Sequence, residues 1–265
     1  MGRVRLDHLL TDRGLARSRA EAQALIHAGH VVLDGAADRK LKPGQLVAAD
    51  ASVSLVEKPR WASRAGLKLE HGLDAFGVDP SGLAALDAGA STGGFTDVLL
   101  ARGARIVYAV DVGRAQLIQR LREDPRVVSM ERTNLRELRE LPEPIDLATL
   151  DLSFISLRLV LPAVRDLLTD YGRVIALVKP QFEAGKEDVP RGGVVTDPRT
   201  HRRVLEEVLA SAADAGLAPI DVISSPITGG DGNVEFLALL ARGAEARADV
   251  EELIAAAIHG NGPPP

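Results

Sequence analysis

Short apolar runs alternate with amphipathic helical stretches through most of this chain. A Gly-rich turn follows the first run, and an acid closes the second. These three features predict an α/β fold with a doubly wound, mostly parallel sheet whose ligand sits at the C-terminal ends of its strands. Strands are predicted near 83–88, 105–111, 126–130, 146–151, 172–178, 218–224 and 234–241, with helices near 94–102, 114–122, 157–168, 198–215 and 246–258. The last two strands are split by the turn-rich residues 226–233, so the seventh strand is expected to run antiparallel. A separately patterned α+β module occupies residues 1–57.

That module opens with apolar residues at helical spacing between Arg5 and Leu15, with Leu6, Leu9 and Leu10 as the stripe and Gly14 as the stop. Ser18 followed by Glu21 is a capping box for a second helix, which buries Ala22, Leu25 and Ile26 and ends at Gly29. Val31 to Leu33 running into Asp34-Gly35 reads as a strand and turn, and residues 42–47 as another. The pattern R-L-D-x-L-L, G-L-A-x-S-R-x-x-A-x-x-L-I, G-x-V-x-x-D-G closely resembles the small RNA-binding domain named after the fourth protein of the small ribosomal subunit. The resemblance implies that Arg5, Arg17, Ser18, Arg19 and His30 lie near structured RNA. Arg17 and Arg19 also flank a helix N-terminus, where backbone N–H groups favour phosphate. A solvated surface charge is the plain alternative for any one of these arginines. Residues 58–63 read as an interdomain linker, stiffened by Pro59, in which the chain's single Trp, Trp61, is expected to pack at the domain junction rather than stack on a base.

The first strand of the larger part ends in Leu86-Asp87-Ala88-Gly89-Ala90-Ser91-Thr92-Gly93-Gly94-Phe95. A strand, a tight turn and a helix start bring backbone N–H groups close to a ligand. Asp111, 22 residues after Gly89, ends the second strand, where a carboxylate can accept hydrogen bonds from ribose hydroxyls. A dinucleotide site wants G-x-G-x-x-G, but Ser91 stands where the second Gly admits a pyrophosphate, and no Gly-Lys-Ser/Thr follows for a phosphate loop. S-adenosylmethionine carries no phosphate and is the favoured reading. A dinucleotide and an ordinary turn beside a surface acid remain the alternatives. Asp87 could serve an ammonium group or a loop amide.

Four polar residues then stand where strands end or a helix leads in. Asp151 ends the fourth predicted strand, Lys179 the fifth, Glu235 starts the last, and Lys68 lies on the helix before the first. Each alone has a dull explanation, as a strand-end acid, a Lys before Pro, an edge-strand Glu or a solvated helix Lys. Together they can converge beside a cofactor's reactive group.

Two Lys and two carboxylates in this order resemble the K-D-K-E tetrad of the FtsJ-like ribose 2′-O-methyltransferases. The runs D-A-G-A-S-T-G-G-F-T-D, V-D-V-G-x-x-Q-L, E-R-T-N, D-L-S-F-I-S-L, V-K-P-Q-F-E, R-G-G-V-V-x-D and G-N-V-E-F follow one another. With the N-terminal module, the chain resembles the TlyA-type ribosomal RNA 2′-O-methyltransferases from about residue 3 to 258. Two departures are Ala65 in Ser63-Arg64-Ala65-Gly66 and the stretch Val112-Gly113-Arg114-Ala115-Gln116-Leu117. The resemblance implies a class I (Rossmann-like) methyltransferase domain over 64–258, a disordered tail over 259–265, and S-adenosyl-L-methionine as cofactor, with no metal. Asp87, Gly89, Ala90, Ser91, Thr92, Gly93, Gly94 and Phe95 would surround its methionine end, Asp111 and Val112 its ribose, and Thr133 and Asn134 its adenine, with Asp151 closing the site. Lys68, Asp151, Lys179 and Glu235 would be catalytic, Lys179 taking the proton of a ribose 2′-hydroxyl. Arg64, Lys186 and Arg191 would face RNA, the last two on a mobile flap over 183–196. The implied substrate is cytidine ribose in small and large subunit RNAs within ribosomal subunits, for a monomer with no obligate protein partner.

Composition fits this reading. The 265 residues are 46% hydrophobic with no Cys, so no disulfide, thiolate chemistry or Cys-bound metal is expected, and a cytoplasmic location follows most simply. No signal-like segment and no apolar run of about 20 residues is present, which argues for no membrane association. The net charge of −5 is uneven, because residues 1–60 hold ten Lys and Arg against seven acids. A basic front on an acidic body places polyanion binding at the front. A non-catalytic ribosome-assembly or RNA-binding factor is the second reading. A pore-forming hemolytic protein is the third and is disfavoured, since the chain shows no strongly amphipathic terminal helix.

Overall fold

A computed structural model describes residues 2–27, 31–33, 41–55, 60–114, 116–185, 187–229 and 232–260. The chain divides into two compact units, Met1–Arg60 and Trp61–Pro265.

In the first unit, strand β1 (Arg3–Arg5) leads into helix α1 (Leu6–Asp12), followed by α2 (Arg19–His27), β2 (Val31–Leu33), β3 (Leu46–Ala48) and β4 (Val53–Leu55). β1 pairs antiparallel with β3, and β2 with β4. The helix expected from Arg5 thus begins one residue later, because Arg3–Arg5 is drawn into a ladder with Leu46–Ala48. β4 was not visible as a strand in the sequence; three residues are too few to show an alternation. Leu6, Leu9, Leu10, Ala22, Ile26, Val31 and Leu33 form the core, so the helical stripe is as expected. Ser18 Oγ caps the Glu21 N–H at 3.2 Å, whereas the Glu21 carboxylate reaches back to the N–H of Arg17, one residue beyond the usual capping-box partner.

Asp7 holds this unit's basic face together. Its side chain is fully buried and accepts from Arg5 Nε at 2.9 Å and Arg5 Nη2 at 2.9 Å, from Arg19 Nε at 3.0 Å and from Gln23 Nε2 at 3.0 Å. The Arg5 guanidinium, seconded by Gln23 and Arg19, holds its carboxyl well below the usual carboxylate range. A lowered value means stabilisation present above about pH 4 and lost only in strong acid. Asp7→Ala is therefore expected to lower stability by about 1–3 kcal/mol. The loss should be equal at pH 7 and pH 5 in thermal unfolding of the whole chain; a loss that vanishes at pH 5 contradicts this assignment.

The second unit runs α3 (Ala65–Phe76), β5 (Ala84–Ala88), α4 (Gly94–Ala101), β6 (Ile106–Val110), α5 (Gln119–Arg122), β7 (Val127–Met130), β8 (Ile145–Leu150), a 3₁₀ turn (Leu157–Leu159), α6 (Leu161–Leu167), β9 (Leu168–Val178), α7 (Pro180–Glu183), α8 (Pro198–Asp214), β10 (Leu217–Ser224), β11 (Phe236–Arg242) and α9 (Val250–His259). Its seven-stranded sheet has the order β10-β11-β9-β8-β5-β6-β7. β5 to β9 are parallel neighbours, while β11 is antiparallel to both β9 and β10, as the turn before the last strand predicted. β5 is buried along its whole length, and β9 over its last five residues, the pattern of strands covered on both faces.

Two expected helices are shorter in the structure. Residues 114–122 are helical only over Gln119–Arg122, and 157–168 breaks into the 3₁₀ turn and α6, with Pro162 in the first turn of α6 and Leu168 already in β9. α8 keeps its predicted bounds because Asp197 caps it, accepting from Arg199 N–H at 3.0 Å, with Pro198 in its first turn. Trp61 is buried in the second unit's core with Leu69, Leu73 and Phe95, and its indole N–H meets Glu70 Oε2 at 3.2 Å. The packing expected for Trp61 is therefore with its own unit.

Candidate active site

β5 breaks into α4 at Gly89, whose φ of +85° is open to Gly. A Cβ there would lie 2.5 Å from the Asp151 carbonyl oxygen. The turn after β5 and the end of β8 thus approach closely enough to exclude any side chain. Beside this contact opens a cavity of about 480 Å³, lined by Gly89, Ser91, Asp111, Val112, Thr133 and Asn134 on one side and by Asp151 to Ile155 on the other. Gln116, Leu135 and Val160 also line it. A second opening of about 210 Å³ adjoins it through Gly89, Ser91, Asp151 and Ser153, and reaches Ala90, Thr92, Gly94, Phe95 and Lys179.

Asp111 sits at the end of β6, where its two carboxylate oxygens accept from Ser91 N–H at 2.8 Å and Gly113 N–H at 2.6 Å. Each oxygen keeps a lone pair for a ribose hydroxyl. Val112 beside it is 74% exposed, an apolar surface at a mouth otherwise rich in polar groups. This cradle, with its diol-sized carboxylate and its apolar lining, fits S-adenosylmethionine.

Two of the expected cofactor residues lie elsewhere. Gly93 does not line the cavity; a side chain there would run into Leu117 and Leu121, so its role is packing. Asp87 is fully buried under the turn, where it accepts from the Thr96 hydroxyl at 2.5 Å. It therefore fastens the start of α4 through Oδ2, while its other oxygen, Oδ1, is buried with no hydrogen-bond partner. Burial pushes its carboxyl up to about 7; the Thr96 bond opposes that shift and the Asp151 charge adds to it. The folded chain thus keeps a proton that the unfolded chain releases near pH 4. Stability falls as pH rises from about 4 to 7, by about 4 kcal/mol in total. Asp87→Asn, which keeps an acceptor for Thr96, should remove that slope. Thermal unfolding of both proteins from pH 4.5 to 7.5 should show the variant gaining on the parent as pH rises, and parallel curves would contradict the assignment.

Lys68, Asp151, Lys179 and Glu235 form two ion pairs. Lys179 Nζ lies 2.7 Å from Asp151 Oδ1 and donates to Ser153 Oγ at 3.1 Å. Lys68, on α3, pairs with Glu235. Phe236 opposes Val178 in the β9–β11 ladder, so Glu235 and Lys179 occupy the next positions at the same end of the sheet. All four side chains are at most 15% exposed. A buried pair is strongly destabilised by loss of one member, so each pairing constrains where both partners lie.

The structure also adds residues that the sequence reading left without a role. Ser153 bonds Lys179, and Phe154 is 90% exposed at φ +64° on the cavity rim, its ring 5.0 Å from that of Phe182. Both lie in the D-L-S-F-I-S-L run, whose recurrence of small and aromatic residues beside a strand-end acid was the available signal. The loop read as a mobile flap is anchored at its C-terminal end. Buried Asn233 accepts from Val195 N–H at 2.9 Å and donates to Gly193 O at 3.0 Å, and His201 Nε2 lies 2.9 Å from Val195 O. Of the expected RNA contacts, Arg17, Ser18, Arg19, Arg64 and Arg191 are exposed and Arg5 partly so, with Arg64 Nη2 directed at Thr228 O at 3.5 Å. His30 and Lys186 lie outside the described residues. Among the described residues no cluster of His and acidic side chains could hold a metal, and no helix is long and apolar enough to cross a membrane.

Comparison with known proteins places this geometry in context. The family model described as FtsJ-like methyltransferase matches residues 61–242, and that of the S4 domain matches residues 4–47. The chain is 48% identical over 240 residues to YqxC of Bacillus subtilis, provisionally named an rRNA methyltransferase, covering 88% of this chain and 84% of that one. It is 47% identical over 240 residues to the 16S/23S rRNA (cytidine-2′-O)-methyltransferase TlyA of Mycobacterium tuberculosis, covering 88% of each. A solved structure from Streptococcus thermophilus, provisionally described as a hemolysin, superposes with a TM-score of 0.73 at 43% identity, covering 97% of this chain and 96% of that one.

Proposed function

The chain belongs to the FtsJ-like methyltransferase family, and we propose from that premise that it methylates the 2′-hydroxyl of cytidine ribose in ribosomal RNA, in both small and large subunit RNAs. The observation that carries this reading is the pairing of Lys179 with Asp151 and of Lys68 with Glu235 at the strand ends beside the Asp111 cavity. The name of the Mycobacterium tuberculosis relative supplies the nucleotide and both subunits.

S-adenosylmethionine, when bound, supplies a methyl group on a positively charged sulfur. Asp111 holds the ribose hydroxyls of that cofactor, and its own bonds to Ser91 and Gly113 keep it from rotating away. Ala90, Thr92, Gly94 and Phe95 border the adjoining opening that reaches Lys179, which suits the methionine end. An unactivated ribose hydroxyl is a poor nucleophile, so its proton must leave as the new C–O bond forms. Lys179 is the group placed to take it, as the neutral amine left once its ammonium has released a proton to solvent. Asp151 and Ser153 fix its Nζ on one side, leaving the remaining direction for the acceptor hydroxyl. Lys68 and Glu235 neutralise one another and orient the start of β11 against Lys179. Because the chemistry is a single transfer to a fixed oxygen, alignment of acceptor and methyl supplies much of the rate.

The basic face of the first unit, with Arg5 and Arg19 held by Asp7 and Arg17 and Ser18 exposed at the start of α2, would engage RNA phosphates, with Arg64 and Arg191 doing so on the second. One chain contributes the whole tetrad and the cavity, which supports action as a monomer, and the ribosomal RNA substrate puts that action on ribosomal subunits in the cytoplasm.

Transfer of labelled methyl from S-adenosylmethionine to isolated ribosomal subunits tests the proposal. Lys179→Ala should lower the rate 100-fold or more while cofactor affinity stays within threefold. Asp111→Ala should weaken cofactor binding about tenfold or more, read by calorimetry. Full activity of Lys179→Ala, or label recovered on bases rather than ribose, contradicts it.

A further inference from the structure

We infer that Glu183 is a positioning residue for the Lys179–Asp151 pair, acting through Ser156; the inference rests on the methyltransferase reading of that pair. Asp151 and Ser153 lie on an irregular segment after β8, and Lys179 immediately precedes the four-residue α7. Asp151 N–H still meets the Ala88 carbonyl at 2.9 Å, but Ser153 and α7 lie beyond the strand ladders. Side chains join the two segments at both ends. At one end Lys179 meets Asp151 and Ser153. At the other the Glu183 carboxylate, 4% exposed, accepts from the Ser156 hydroxyl at 2.6 Å and from Leu157 N–H at 2.7 Å. The two links close a ring, Lys179 through α7 to Glu183, across to Ser156, and back along the chain to Asp151. Inside that ring Phe154 and Phe182 are in contact, and Phe154 is held at a positive φ that its side chain disfavours.

Glu183 is a costly way to close a helix turn. Burial disfavours its charge and raises its carboxyl, and the Leu157 and Ser156 bonds and the Arg158 charge only offset this in part. Arg158 completes the arrangement. Its N–H and Nε donate to Ser156 Oγ at 3.2 and 3.1 Å, and its Nη2 donates to the Glu183 carbonyl at 3.0 Å. Ser156 Oγ thus already receives two donors and gives its one proton to Glu183. A Gln at 183 has the same shape but brings an N–H₂ against one of these donors, so at least one bond is lost. The clamp needs a carboxylate, and a surface Glu stabilising α7 would not need to be buried.

The test uses the whole chain with ribosomal subunits. Glu183→Gln and Ser156→Ala should each lower kcat about tenfold, with KM for subunits and cofactor affinity within twofold. The double variant should be no slower than the slower single, because both break one link. Ser156→Thr, which keeps the hydroxyl, should retain kcat within threefold, as should Glu207→Gln, which touches Arg158 outside the ring. Should Glu183→Gln fail to fold, the contrast between Ser156→Ala and Ser156→Thr decides the matter alone. Unchanged kcat in Glu183→Gln and Ser156→Ala, or equal and multiplicative losses in kcat and KM, would overturn the clamp. Those outcomes leave the methyltransferase reading standing, which fails separately if Lys179→Ala is active.

Discussion

A buried ammonium group is tolerable only with a carboxylate against it, and this chain buries two at one end of one sheet. Lys68 and Lys179 are each 8% exposed, and each has its own acid, Glu235 and Asp151. Desolvating a charge costs several kcal/mol, recovered only when partner geometry is good. The tertiary structure must therefore bring α3, the end of β8, the end of β9 and the start of β11 to one place. The strand order does so: β8 and β9 are parallel neighbours, and β11 enters antiparallel beside β9, which turns the beginning of one strand toward the ends of the others. An all-parallel seventh strand would leave Glu235 at the far end of the sheet.

The same requirement explains the arrangement around the pairs. The Gly89–Asp151 contact sets the floor between the Asp111 cavity and Lys179, and Asp87 beneath it fastens the start of α4 through Thr96. Glu183 and Ser156 fasten the two irregular segments that carry Lys179 and Asp151. Hydrogen-bonded polar groups are used here for placement, where an apolar core would pack as stably but with less directional constraint. The rest of the sheet is a mainly apolar core, from Leu86 and Leu150 to Val178 and Phe236.

Most of this was legible in the sequence for identifiable reasons. Strand–helix alternation and turn glycines placed the seven strands, and strand ends pointed to Asp111, Asp151, Lys179 and Glu235. The turn before the last strand was enough to expect its direction. What escaped depends on distant partners. Asp87 looked like a cofactor ligand because sequence shows its position beside the turn but not Thr96 over it. The flap over 183–196 looked free because nothing local reveals that Asn233, 40 residues from Gly193, pins it. β1 and β4 are three-residue strands defined by their partners, and Ser153, Phe154 and Glu183 gained roles only when two chain segments met.

Everything proposed for the Lys179–Asp151 site turns on its methylating ribose in ribosomal RNA. Its most direct measurement is a map of 2′-O-methyl positions in the RNA of both subunits from cells lacking the chain, complemented with either the parent chain or Lys179→Met. Cytidine methylations should be present with the parent and absent with Lys179→Met in both RNAs. Identical maps for the two complemented strains would contradict it.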